Sequence, residues 1–344
     1  MIPNKVRERN KSINKDYGSL YPFYKINFNL FPISFSIPEC KIVDYVPIKS
    51  KIISDLIPGK IETYIYYKEQ DYYDEYKKSI FAYTFKKGGW DCLRHYEILA
   101  CGCIPYFPDI NECPDNILFI LPKDLIKIGN ELFLSYKDKS INDLTENDKY
   151  ILNEHIQKLI LYTKTYLTTR NLSNYIIKTL NEKCYIFNIK KVLLISAHDW
   201  TEYLRCSILH GLKSVFGKDC HDYPKIKHLY KNEDIDYVNY CYGRGFSLSN
   251  LLEQNCRDNS LDETIEDDIK NNKYDIIIWA DFHRWYLPNC ASRPNLEYFD
   301  LAKKYYDSNR LIFLNGWDRQ YDIYDYYMSF VNKGHTVFVR EFLD

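Results

Sequence analysis

Residues 79–107 write out a strand, a glycine loop, a helix, a glycine stop and a second strand without a break. Residues 79–85 are rich in β-branched and aromatic side chains, and Lys86-Lys87-Gly88-Gly89 ends them. Asp91 suits a helix N-cap, Leu93, Tyr96 and Ala100 recur at helical spacing, and Gly102 is a natural stop. Residues 103–107 are extended again, with Pro105 inside them. A βαβ unit needs two parallel strands joined by a crossover helix, which places the chain in the α/β class.

The same alternation returns downstream. Buried-type strands are expected at 192–196, 275–280, 311–314 and 335–339, with helices at 200–216, 295–307 and 321–332 between them. Upstream, 33–37, 41–46, 61–66 and 116–120 read as short strands, 70–78 and 122–133 as helices, and 150–180 as a long helix or helix pair after a solvated loop at 136–149. At about 150 residues per domain, 344 residues suit two. The expected organisation is an arm at 1–26 and two Rossmann-like parallel-sheet domains, 27–187 and 188–344.

Charge excludes several roles. The 46 Lys and Arg balance 47 Asp and Glu, so no overall field draws in nucleic acid or an anionic membrane. The longest apolar runs fall well short of the ~18 residues a membrane span requires, and residues 1–14 are polar with no signal core. The 11 cysteines are odd in number and scattered, which points to free thiols in a reducing, cytoplasmic compartment. Cys92, Cys101, Cys103 and Cys113 lack the paired spacing of structural zinc. No metal or other cofactor is expected.

Ligands of open parallel sheets bind outside the carboxyl ends of the strands. Three such ends carry titratable residues: His198 and Asp199, then Asp281, His283 and Arg284, then Asp318 and Arg319. Taken singly, each reads as a helix cap or a surface ion pair; together they suggest a ligand rim. In the first half, Gly88 and Gly89 before a helix let backbone amides approach an anion, and Lys86, Lys87 and Arg94 add charge. Arg94 and Glu97 are neighbours at i and i+3, which allows either an exposed ion pair worth ~0.2–0.5 kcal/mol or a cation for a diphosphate beside an acceptor for ribose hydroxyls. Gly243-Arg244-Gly245 lacks the third glycine of a dinucleotide fingerprint and reads as a loop.

Residues 86–114, KKGGWDCLRHYEILACGCIPYFPDINECP, resemble the nucleotide-sugar-binding segment of exostosin-like and related GT-B glycosyltransferases. The shared pattern runs Arg94-His95-Tyr96-Glu97-Ile98-Leu99-Ala100-Cys101-Gly102-Cys103-Ile104-Pro105, followed by Asp109. The resemblance implies a sugar transferred from a nucleotide diphosphate sugar to a hydroxyl of a glycan or protein acceptor, without a metal. It implies donor binding by Lys87, Gly88, Gly89, Arg94, Glu97 and Gly102, with Arg94 on the diphosphate and Glu97 on the ribose. The catalytic base is sought among His198, Asp199, Asp281 and His283. Three features depart from the family: Asp91 stands where a Ser is frequent; the earlier Glu of the retaining Glu-x7-Glu pair would fall near Gly89, which leaves retention or inversion open; and the nucleotide-sugar unit precedes the second α/β unit, an order that a permuted GT-B enzyme, a tandem array cut from a longer chain or a degenerate enzyme would each give. The alternatives are a catalytically inactive nucleotide- or glycan-binding module of the same fold, and an NAD- or phosphosugar-using enzyme such as an epimerase.

Overall fold

The computed structural model describes residues 29–198, 201–232, 236–286, 296–319 and 323–342. The arm expected at 1–26 and the candidate Asp199 lie outside them. Among the described residues nine strands run in chain order: β1 (Leu30–Pro32), β2 (Lys51–Ile53), β3 (Ser79–Tyr83), β4 (Ile104–Tyr106), β5 (Val192–Ile195), β6 (Cys220–Tyr223), β7 (Ile276–Trp279), β8 (Leu311–Asn315) and β9 (Thr336–Val339). They form two wholly parallel sheets, one of six strands ordered β1-β9-β8-β7-β5-β6 and one of three ordered β2-β3-β4. The α/β class with two Rossmann-like parallel sheets is therefore what the chain adopts.

The longer helices are α1 (Glu69–Lys77), α2 (Leu93–Ala100), α3 (Lys123–Tyr136), α4 (Glu146–Tyr166), α5 (Thr169–Lys183), α6 (Tyr203–Phe216) and α7 (Tyr324–Val331). The expected long helix is a pair, α4 and α5, each started by a threonine cap: Thr145 accepts from the Asp148 amide and Thr168 from that of Asn171. Central strands β5, β7 and β8 are buried along their whole length, the pattern of a sheet covered on both faces. One apolar core runs from Ile52, Ile80 and Phe81 of the small sheet to Val192, Ile276 and Ile312 of the large one. The opposite face of the large sheet packs Trp279, Phe313 and Val337 against Tyr327 and Phe330 of α7.

Several short strand expectations fail for lack of a partner. Residues 61–66 open with a 3₁₀ turn, Ile61–Thr63, where the Thr63 hydroxyl binds the Ile57 and Lys60 carbonyls, and Ile61 is exposed. Residues 41–46 and 116–120 form turns and bends rather than strands. Conversely β1, β2 and β6 escape the sequence pattern. β6 reads Cys-His-Asp-Tyr, and its buried Asp222 is matched by Tyr230, Lys213 and Arg257. β1 pairs with β9 as an edge strand, which accommodates Pro32.

At Gly211 the backbones of α5 and α6 approach closely. A Cβ on Gly211 would stand 2.1 Å from the Thr169 carbonyl oxygen and 2.4 Å from Ser173 Oγ. Gly211→Ala is expected to cost about 1–3 kcal/mol through overpacking against backbone. A urea unfolding midpoint equal to wild type would show that the two helices separate freely.

Candidate functional site

The first turn of α2 has an unusual start. Cys92, not Asp91, is its N-cap residue, and no side chain caps the turn. Asp91 is instead buried, accepting from the Phe35 amide (2.7 Å) and the Tyr96 hydroxyl (3.1 Å). Burial lifts its carboxyl to about 7 against the pull of Arg340.

Cys92, Leu93 and Arg94 of this turn face an open cavity of about 560 Å³, bounded on one side by Lys87, Tyr64, Tyr66, Tyr72 and Glu97. The other wall comes from the second half of the chain: Tyr203 at the start of α6, then Tyr242, Gly243, Arg244 and Phe246. Arg94 is 8 % exposed; its Nε donates to Thr84 Oγ1 (3.3 Å), while Nη2 has no hydrogen-bond partner. A buried guanidinium with an unpaired N–H is costly in isolation and is a ready donor to an anion.

Glu97 is occupied by the protein itself. Oε2 accepts from the Tyr72 hydroxyl (2.7 Å) and Oε1 from Ser247 Oγ (2.5 Å), and burial pushes the carboxyl up. Ser247 reaches it from a tightly wound loop in which Gly243, Arg244, Gly245 and Ser247 all have positive φ. The Ser247 amide also binds Glu69, and the Arg244 guanidinium lies 3.7 Å from the centre of the Tyr67 ring. The loop thus clasps the first half across the cavity mouth.

The glycine pair meets carboxylates of this chain. A Cβ on Gly88 would stand 2.6 Å from Asp318 Oδ2, and one on Gly89 2.4 Å from Glu341 Oε1. Glu341 accepts from the amides of Trp90 (3.0 Å) and Asp91 (2.8 Å), the position an anionic ligand of such a loop would take. Lys87 lines the cavity. Gly102 does not; it ends α2 with φ 59°, and its carbonyl accepts from Lys49 Nζ (2.5 Å).

The candidate bases gather at the carboxyl ends of β5 and β7, adjacent strands between which the strand order reverses. Asp281 is fully buried, accepting from Arg205 Nη1 (2.7 Å) and the Ala197 amide (2.9 Å). Arg205 also donates to the His198 carbonyl (2.6 Å), and its amide is capped by Glu202. His283 is buried; its Nδ1 accepts from the Gly316 amide (3.3 Å), and burial with nearby Arg284 and Arg340 drives its pKa well down, leaving it neutral. His198 is half-buried. None of His198, Asp281 and His283 lines the cavity. Arg340 links this rim to the glycine loop: it donates to the carbonyls of Gly316 and Asp91 and pairs with Glu341 and Asp318.

Sequence reasoning missed Tyr203, Arg244, Ser247, Arg340 and Glu341. Arg340 and Glu341 follow β9, so the strand-end rule applied to the last strand would have found them. Among the described residues no helix is long and apolar enough to cross a membrane, and no cluster of three His, Cys, Asp or Glu is placed to hold a metal. Compared with family models, curated proteins and solved structures, the chain matches none.

Proposed function

We propose that the cavity takes a nucleoside diphosphate sugar and that the protein transfers the sugar to a hydroxyl of a glycan or protein acceptor. The observation that carries this reading is the uncapped first turn of α2 with the unpartnered Nη2 of Arg94 beside it, in a cavity walled by tyrosines. Helix-start amides and a guanidinium are donors for a diphosphate, and they stabilise the charge that grows on it as the glycosidic bond breaks. The aromatic walls suit the faces of a base and sugar. In this reading Lys87 adds charge at the edge, and Glu97 accepts from a ribose hydroxyl in exchange for Ser247.

A second reading, a binding module without turnover, draws on the candidate bases. Asp281 is held in a buried ion pair and His283 is enclosed, which leaves half-buried His198 as the described candidate able to meet an acceptor.

Thermal-shift and calorimetric titration with UDP, GDP, ADP and CDP test the shared premise. A ligand at a hundredfold its Kd stabilises by ~2.7 kcal/mol, several degrees in midpoint. Arg94→Gln should weaken binding of the preferred nucleotide by about 10–100-fold, the worth of a charge-assisted hydrogen bond. No shift with any of the four at millimolar concentration would sink the transferase reading and leave, of the second, only a module that binds a glycan. Release of free nucleoside diphosphate from the matching sugar nucleotide separates the transferase from the module.

A further inference from the structure

Of the ten described cysteines, all free, seven are buried. Burial pushes up the thiols of Cys101, Cys103, Cys206, Cys220 and half-buried Cys256, which keeps them protonated and inert. Cys40 is exposed but does not line the cavity. Cys92 is half-buried, opens α2 and lines the cavity wall.

Its surroundings favour one kind of reagent. Arg94, more than nine-tenths buried and with Nη2 unpartnered, sits two residues on in the same wall, and Lys87 and Arg244 line the cavity too. Against these three cations the lining holds one carboxylate, Glu97, already bound by two hydroxyls. A small molecule carrying carboxylates and a reactive sulfur would be drawn in and held with that sulfur near the thiol.

We propose that Cys92 is a thiol–disulfide exchange site for small anionic disulfides, the class to which oxidised glutathione belongs. The sulfur of deprotonated Cys92 attacks one sulfur of the disulfide, a new S–S bond forms, the old one breaks, and the departing thiolate takes up the proton that Cys92 released. The mixed disulfide fills the cavity, and excess small thiol reverses the exchange. Occupancy of the cavity then follows the local thiol–disulfide balance.

The test compares two probes on the intact protein, with each modified cysteine identified by mass spectrometry. One is the dianion 5,5′-dithiobis(2-nitrobenzoate), the other neutral 4,4′-dithiodipyridine. At low ionic strength the ratio of anionic to neutral rates should be about tenfold or more higher at Cys92 than at Cys40, and should fall toward the Cys40 value in 0.5 M salt. In Arg94→Gln the ratio at Cys92 should drop while the neutral probe still labels it. Equal ratios at Cys92 and Cys40, or no labelling of Cys92 by either probe, would overturn the proposal. The comparison needs no nucleotide, so it stands or falls apart from the transferase reading.

Discussion

Replacing Arg205 with Ala is expected to destabilise the protein by about 3–5 kcal/mol, because it strands the fully buried Asp281 carboxylate without its counter-charge. Both partners are fully buried, and the guanidinium also ties the His198 carbonyl to α6. For a chain of this size the loss corresponds to a thermal midpoint lower by roughly 4–7 °C. The double variant Arg205→Met, Asp281→Asn should recover much of it, since Asn keeps an acceptor for the Ala197 amide and no charge is left buried. A single variant costing under about 1 kcal/mol would mean that Asp281 is already neutral in the native state, and the ion pair would lose its structural importance.

Arg340→Met should cost a similar amount, with a pH dependence that identifies its origin. Arg340 is 2 % exposed, packs over the Phe35 ring and faces Asp91, Glu341 and Asp318. Burial raises the Asp91 carboxyl to about 7 and the Glu341 carboxyl above its usual range, and Arg340 opposes both shifts. A carboxyl whose folded pKa exceeds its unfolded one supports the native state at low pH and loses that support as pH rises through the folded value. Without Arg340 the folded values climb further, so the support is withdrawn over a wider span. The gap between wild type and variant should therefore be small near pH 5 and reach about 3–5 kcal/mol above pH 8. Urea midpoints at the two pH values measure it; an equal gap at both would show that Arg340 acts through packing alone.

How much of this was legible beforehand differs by element. Val192–Ile195, Ile276–Trp279 and Leu311–Asn315 are apolar throughout, so burial on two faces can be read from composition. β6 hides its nature because Asp222 and His221 look like loop residues until Lys213 and Arg257 arrive from elsewhere in the chain. Arg94 stands out in the sequence by its place on the helix, but what makes it notable, a buried unpaired Nη2 on a residue lining a cavity that Tyr203 and Arg244 also line, depends on two distant segments meeting. Gly88 and Gly89 read in the sequence as a place where an anionic ligand approaches the backbone amides. That the visitors are Asp318 and Glu341 required knowing where β9 ends.

The pairing of β1 with β9 has a temporal meaning. Leu30 lies opposite Val337, so this strand waits for its neighbour until about 300 further residues have been made. At about 5–20 residues per second that wait is tens of seconds. The β2-β3-β4 sheet uses only residues 51–106 and can close among them, whereas the large sheet gains its β1 edge only once β9 has been made. Leu30 and Phe31 spend that interval as apolar residues without their β9 cover.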